Sequence, residues 1–339
     1  MLKKFWSRKR TLGDTQPLPN VLLCRAFRQV VDEPASIFTD LGRWRKLALF
    51  GTLNSTLREH TNQFSDLPSV AFQWAEKKAL REERVTLFCE HGWLPRQGYQ
   101  ISSRGCNQRH HIFQLCETAN PDAFGPSDLS EKLERLKLSY PKPAKVADFG
   151  DEGFFLFSLQ LVTDLNLKRS NTEFADFHAS SKASHLLVSE ISALLEQVAP
   201  KTKVVFVQHP SDASKETPAL QGRHEYLPNT KKLRTLDLAL SPQCRGVLTI
   251  NSNSLNEALL FGLPVFQLGD FLMPKFPNML FPYTLEAFLE DPQHCHALAR
   301  VDFYLSTVLE NQWSLERLSD PLALRSLITR EVDRFRATN

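Results

Sequence analysis

The stretch Gly246–Gly269, GVLTINSNSLNEALLFGLPVFQLG, decides the fold. A short apolar run, Val247-Leu248-Thr249-Ile250, meets a polar corner, Asn251-Ser252-Asn253-Ser254. A compact amphipathic segment follows from Leu255 to Phe261, and Gly262-Leu263-Pro264 breaks it before a second apolar run, Val265 to Leu268. The pattern predicts strand, turn, helix and strand, with hydroxyls and backbone amides gathered where the helix begins. A helix N-terminus carries unpaired N–H groups and the positive end of a dipole, so it suits a phosphate. Ser252 or Ser254 as a plain helix cap is the competing reading.

Working outward, strands of apolar and β-branched character recur through the second half of the chain. Phe154–Leu161 and Lys203–Gln208 are strand candidates, the latter ending at His209-Pro210. Between them, Asp176–Val198 has helical periodicity through Leu187, Ile191, Leu194, Leu195 and Val198. Such alternation implies a parallel sheet with both faces covered, and ligands of parallel sheets sit beyond the carboxyl ends of the strands. Three polar features fall at such ends: Gln160–Asp164, Gln208–Pro210 and Asn251–Ser254. The first half is less regular. Apolar runs at Lys46–Phe50 and Val85–Cys89 flank a helix-like stretch around Val70–Glu83. Pro121, Pro126, Pro141 and Pro143 mark a polar connection, with a short helix expected over Leu129–Leu138. The tail from Val301 to Phe335 reads as helical and contains Trp313.

A chain of 339 residues has room for two domains of ordinary size. With 42% hydrophobic and 23% charged residues it is globular rather than disordered. A net charge of +3 gives no reason to expect a nucleic-acid partner. No apolar run approaches the roughly 20 residues of a membrane helix. The six cysteines, Cys24, Cys89, Cys106, Cys116, Cys244 and Cys295, form no CxxC pair and are expected as free thiols in a reducing compartment. The basic N-terminus, MLKKFWSRKR, lacks the apolar core of a secretory signal. It suits either weak attachment to anionic lipid or a solvated tail; with no export signal the cytoplasm is the expected location, with peripheral contact on the inner face of the inner membrane as a further expectation.

At these residues the chain resembles a known group. SLQLVTDLNL (Ser158–Leu167), VFVQHP (Val205–Pro210) and TINSNSLNEALLFGLPVFQLG (Thr249–Gly269) are similar to the capsule polysaccharide biosynthesis proteins. That group includes the retaining β-Kdo glycosyltransferases of bacterial capsule and O-antigen assembly. Upstream, FCEHGWLPRQGYQISSRGCN (Phe88–Asn107) looks like the family's acidic-Gly-aromatic segment and the G-x-N that follows it. The resemblance implies an α/β architecture of two Rossmann-like domains, the glycosyltransferase-B fold. The corresponding division is an acceptor-side domain at 1–148, a donor domain at 149–300 and a helical segment at 301–339 crossing back to the first domain. It also implies CMP-Kdo as donor substrate, a lipid-linked or glycan acceptor, retained anomeric configuration, and neither a cofactor nor a metal. An inverting transferase for another CMP-linked ulosonic acid, such as sialic acid, and a catalytically silent assembly scaffold are the alternatives.

The resemblance also distributes roles. Asp164, the acidic residue of the family's Gln-x-x-x-Asp pattern starting at Gln160, is the implied nucleophile. Retention by two successive inversions needs such a carboxylate. Glu90 matches the acidic position of the upstream segment and is the implied base for the acceptor hydroxyl. His209, with Pro210 beside it, is expected to contact the CMP phosphate and offset charge on the leaving group. Asn251, Ser252, Asn253 and Ser254 are expected at the phosphate, and Glu257 at the ribose hydroxyls. Lys168 and Arg169 are both candidates for the donor carboxylate. The turn departs from the family, with Asn-Ser-Asn-Ser in place of serines followed by glycine, and Asn256 stands where a small residue is common. Other motifs point elsewhere: His110-His111 and His294-x-His296 lack companions at metal-ligand spacing and read as surface histidines. Phe271–Phe281 either walls the site or packs as a loop, and no DxD pair is present in a loop.

Overall fold

The computed structural model describes residues 21–24, 48–68, 70–74, 85–94, 98–107, 110–112, 129–146, 148–161, 184–228, 233–269 and 283–337. Asp164, Lys168, Arg169, Cys116, the Phe271–Phe281 segment and the basic N-terminus lie outside them. Nine strands form two sheets among these residues. The first contains β1 (Val21–Cys24), β2 (Val70–Trp74), β3 (Val85–His91) and β4 (Tyr99–Ser102), in the order β1-β2-β3-β4. β1 runs parallel to β2, and β2 to β3. The second contains β5 (Phe154–Ser158), β6 (Val204–Val207), β7 (Glu225–Leu227), β8 (Cys244–Thr249) and β9 (Val265–Gln267), ordered β7-β6-β5-β8-β9, with every neighbouring pair parallel. The fold is mixed α/β, and its five-stranded sheet is parallel throughout.

The helices in chain order are α1 (Ala48–Glu59), α2 (Leu129–Leu138), α3 (Ser184–Val198), α4 (Thr235–Ala239), α5 (Ser254–Leu260), α6 (Leu285–Glu290), α7 (Pro292–Leu298), α8 (Val301–Asn311), α9 (Leu315–Ser319) and α10 (Pro321–Arg336). The helix expected to open at Val70 is a correction: Val70–Trp74 is strand β2, buried at all five positions. Val, Phe and Trp fit a pleated, enclosed surface, and the parallel neighbours on both sides outweigh the helix-forming residues that follow. The tail expected as helical consists of three helices, α8, α9 and α10. Ser314 and Asp320 cap the last two through the N–H groups of Arg317 and Leu322, with Pro321 at the first position of α10.

The chain separates into two compact units. One comprises residues 1–90, 101–106 and 313–339. In it, Leu49, Leu53 and Leu57 of α1 are fully buried, and the Thr56 hydroxyl donates to the carbonyl of Leu318 at 3.1 Å. Arg325 of α10 clamps Asp66 at 2.6 Å, and that hydrogen-bonded guanidinium holds the Asp66 carboxyl at about 2. Glu331 is wholly buried. One of its oxygens accepts the N–H and hydroxyl of Ser103, at 2.9 and 3.1 Å, and the other pairs with Arg334 at 2.5 Å.

The second unit comprises residues 91–100 and 107–312. Alternation along its strands sends side chains to opposite faces. Phe154, Leu156, Val205, Val207 and Val247 join a core with Leu255 and Leu259 of α5 and with Phe303, Tyr304 and Val308 of α8. Phe155, Phe157, Val204, Phe206 and Leu248 join another with Leu187, Ile191 and Leu195 of α3 and with Phe288 of α6. Both faces are covered, which is why these strands read as continuous apolar runs rather than as alternating ones.

Candidate functional site

Numbered within its own unit, the five-stranded sheet has the order 3-2-1-4-5, so the direction of building reverses between β5 and β8. A crevice beyond the carboxyl ends of the strands at such a reversal is where doubly wound sheets bind ligands. In this sheet the crossing is held by polar side chains. The Thr249 hydroxyl at the end of β8 donates to the carbonyl of Ser158 at the end of β5, at 2.9 Å. Two residues further along each strand, the side-chain oxygen of Gln160 accepts the N–H of Asn251 at 2.9 Å, both residues being buried. Gln160 thus fixes the start of the corner against β5.

The corner itself is closely determined. The N–H of Ser252 goes to the Thr249 hydroxyl at 3.2 Å. Ser252 Oγ accepts both the N–H and the hydroxyl of Ser254, at 3.3 and 3.1 Å. A hydroxyl has two acceptor lone pairs and one proton, so Ser252 keeps its proton to donate elsewhere. The N–H groups of Leu255 and Asn256 turn back to the carbonyls of Ser252 and Asn253. Neither serine caps α5: its cap position is Asn253, which has helical backbone angles and makes no capping hydrogen bond through its side chain. The Ser252 hydroxyl and the backbone N–H of Asn253 are thus two donors that the corner does not spend internally. Asn251 is fully enclosed, whereas Ser252, Asn253 and Ser254 are half-buried.

On the other side of β5, the end of β6 carries Gln208-His209-Pro210. Gln208 is buried; its N–H donates to Leu227 at 3.0 Å and its side-chain amide to the carbonyl of Ser214 at 2.8 Å, which ties down the loop that follows. His209 Nδ1 accepts the N–H of Ser211 at 3.1 Å. With Nδ1 acting as acceptor, the neutral ring carries its proton on Nε2, which makes that nitrogen the donor side of the ring. Pro210 is exposed. Glu257, on the first turn of α5, is half-buried and adds to the field of Asp237 in raising the pKa of Arg234. The structure thus gathers Gln160, His209, Pro210, Asn251, Ser252, Asn253 and Ser254 along one edge of one sheet. Glu90 belongs to the other unit, half-buried near the end of β3; there burial first, and its charge second, push the neighbouring Cys89 thiol up.

No family model matches the chain, and no curated protein does. Solved structures do. A Thermosulfurimonas dismutans KpsC, described as a beta Kdo 2,7 transferase, is 11% identical, with 91% of this chain and 99% of that one covered at a TM-score of 0.48. A second KpsC structure from the same organism, described as a beta Kdo 2,4 transferase, is 15% identical, with 71% and 79% covered at a TM-score of 0.45. The group named by these structures is the one the sequence motifs resemble.

Two findings lay beyond the reading of the sequence. Thr249 fastens the reversal, and its only signal was a hydroxyl at the last position of an apolar strand. His110 and His111 are not surface residues, a correction to the expectation: both are buried, His110 standing edge-on to Trp93 at 4.7 Å and accepting the N–H of Ile112 at 3.2 Å. Packing on an indole gives imidazole an interior place that sequence spacing does not reveal. Among the described residues no three His, Cys, Asp or Glu side chains gather as a metal site requires. Nor is any described helix long and apolar enough to cross a membrane.

Proposed function

We propose that the chain is a retaining glycosyltransferase that moves Kdo from CMP-β-Kdo to a surface-glycan acceptor, within a two-domain glycosyltransferase-B arrangement. The observation that carries this reading is the reversal between β5 and β8, where Gln160 and the 251–254 corner meet beyond the strand ends. That edge supplies uncharged donors to a phosphate: the Ser252 hydroxyl, the Asn253 N–H and the Nε2–H of His209. The family motifs quoted above supply the identity of the sugar.

In this reading Asp164, four residues beyond the anchored Gln160, attacks the anomeric carbon as CMP departs with the bonding electron pair. His209 donates to the phosphate as its charge grows. The acceptor oxygen then displaces the Asp164 carboxylate while Glu90 takes the hydroxyl proton, so two inversions return the original configuration. The donor domain is 149–300, and the basic N-terminus adds weak contact with an anionic membrane surface.

The test is incubation with CMP-Kdo generated in situ and a panel of acceptor glycans, following CMP release. Asp164→Ala is expected to abolish transfer while leaving CMP affinity near that of the parent. A sugar adduct of the intact protein, lost in that variant, marks the covalent step. Release of CMP from another CMP-sugar but never from CMP-Kdo would overturn the donor assignment.

A further inference from the structure

Asn253 and Asn256, two of the three asparagines by which the corner departs from the motif it resembles, are bonded to each other. The side-chain N–H of Asn256 donates to the side-chain oxygen of Asn253. Asn256 is fully buried, and its own oxygen accepts the hydroxyl of Tyr304, from α8, at 2.7 Å. At the other end, the side-chain N–H of Asn253 donates to the backbone carbonyl of Gly92 at 2.8 Å. Every donor in this chain points the same way: Tyr304 to Asn256, Asn256 to Asn253, Asn253 to Gly92. Aligned bonds in an enclosed setting polarise one another and act as a unit.

The receiving segment has little freedom. The Gly92 N–H donates to the carbonyl of Gly98 at 2.8 Å, and the Leu94 N–H to the Gln312 side chain at 3.1 Å. A Cβ at Gly92 would lie 2.6 Å from Gln312 Oε1 and 2.8 Å from the Gly98 carbonyl oxygen, so no side chain fits. Gln312 immediately follows α8. One helix therefore grips the Gly92–Leu94 segment twice, directly through Gln312 and through the Tyr304–Asn256–Asn253 chain.

We infer that Tyr304, Asn256 and Asn253 are positioning residues that lock the 251–254 corner to the Gly92–Leu94 segment, and that the side chain of Asn253 is a strut rather than a ligand. Asn253 then serves a bound phosphate through its backbone N–H alone. The pair of asparagines is one device: a small residue at 256 removes the Asn256 acceptor of the Tyr304 hydroxyl and releases Asn253 together. The inference deepens the proposed function and rests on that reading for the identity of the ligand.

Tyr304→Phe keeps the packing and removes the first donor, and Asn256→Ser breaks the middle link. Amide hydrogen exchange of the whole chain is expected to quicken in both variants at residues 251–257 and, together with them, at residues 92–94. CMP affinity, by titration calorimetry, is expected to fall roughly tenfold, the factor of one lost hydrogen bond. The double variant should lose little more than either single one, because the links act together. Asn253→Asp keeps an acceptor for Asn256 but has no N–H for Gly92, and it should quicken exchange at residues 92–94 as the other two variants do. Faster exchange confined to 251–257, or CMP affinity unchanged in Tyr304→Phe, overturns the inference. A parent protein that binds no CMP counts against the donor reading instead, and the exchange measurement then decides the coupling alone.

Discussion

His224 shows how a single side chain ties this fold to pH. It is buried just before β7, its Nδ1 accepts the N–H of Val204 at 3.2 Å, and its ring stands edge-on to Phe206 at 6.0 Å. Burial pushes its pKa below the ordinary 6.5, against the opposing pull of Glu196. Below that ordinary value the unfolded chain takes up a proton that the folded chain refuses. Stability therefore falls as pH drops through about 6.5 and levels off beneath the folded value. His296, also depressed by burial, adds a slope of the same sign. His224→Asn keeps an acceptor for Val204 but does not titrate. Denaturant midpoints between about pH 7.5 and 5 should fall for the parent and fall distinctly less for the variant; parallel curves would refute a neutral buried His224. At this scale the sequence was legible only in part. The polar residues at the strand ends could be read, since a polar cluster after an apolar run breaks pattern. The partners of Asn253 and Asn256 could not, because Tyr304 and Gly92 lie far from them in the chain and look like ordinary core and turn residues.

Elements were more legible than their partners. The run from β8 through α5 to β9 carries its own punctuation, and it folds as its periodicity predicts. Val70–Trp74 went the other way because five residues of apolar strand precede a helix-forming stretch, and only the pairing with β1 and β3 decides between them. One packing contact between elements gives a sharp test. A Cβ at Gly246, in β8, would lie 2.8 Å from the ring of Phe288 on α6 and 3.3 Å from both the Phe155 ring and the carbonyl of Pro264. Phe155 and Phe288 already pack ring to ring at 5.6 Å. Gly246→Ala must lift α6 off the sheet or displace Phe155, at about 1–3 kcal/mol of overpacking. Urea titration should record a loss in that range. No loss would mean that α6 rests on the sheet less tightly than these distances require.

At the scale of the whole molecule, the end of the chain completes a unit that begins with its first strands. Trp313, Leu318, Leu324, Leu327, Ile328 and Val332 are buried within the unit that holds α1, β1 and β2. Arg317 and Arg330 flank the Trp313 indole at 3.8 and 5.6 Å, and Glu331 receives Ser103 beyond the end of β4. Burying a large apolar side chain is worth about 1.5–3 kcal/mol. Six of them reach roughly 9–18 kcal/mol, as much as the entire net stability of an ordinary domain, about 5–15 kcal/mol. The helical tail is thus part of that unit's core rather than an appendage to it. A chain ending at Gln312 should lose the protease-resistant core around α1 and β2, while residues 184–269 keep slow amide exchange. A milder probe separates core from charge. Glu331→Gln keeps an acceptor for Ser103 and surrenders the ion pair with Arg334, whereas Glu331→Ala also leaves the buried Ser103 N–H without its acceptor, which adds about 1–3 kcal/mol. The alanine variant should therefore unfold at clearly lower urea than the glutamine variant. Equal midpoints would mean that Glu331 serves Arg334 alone, and that the tail is held by its apolar face without help from the Ser103 turn.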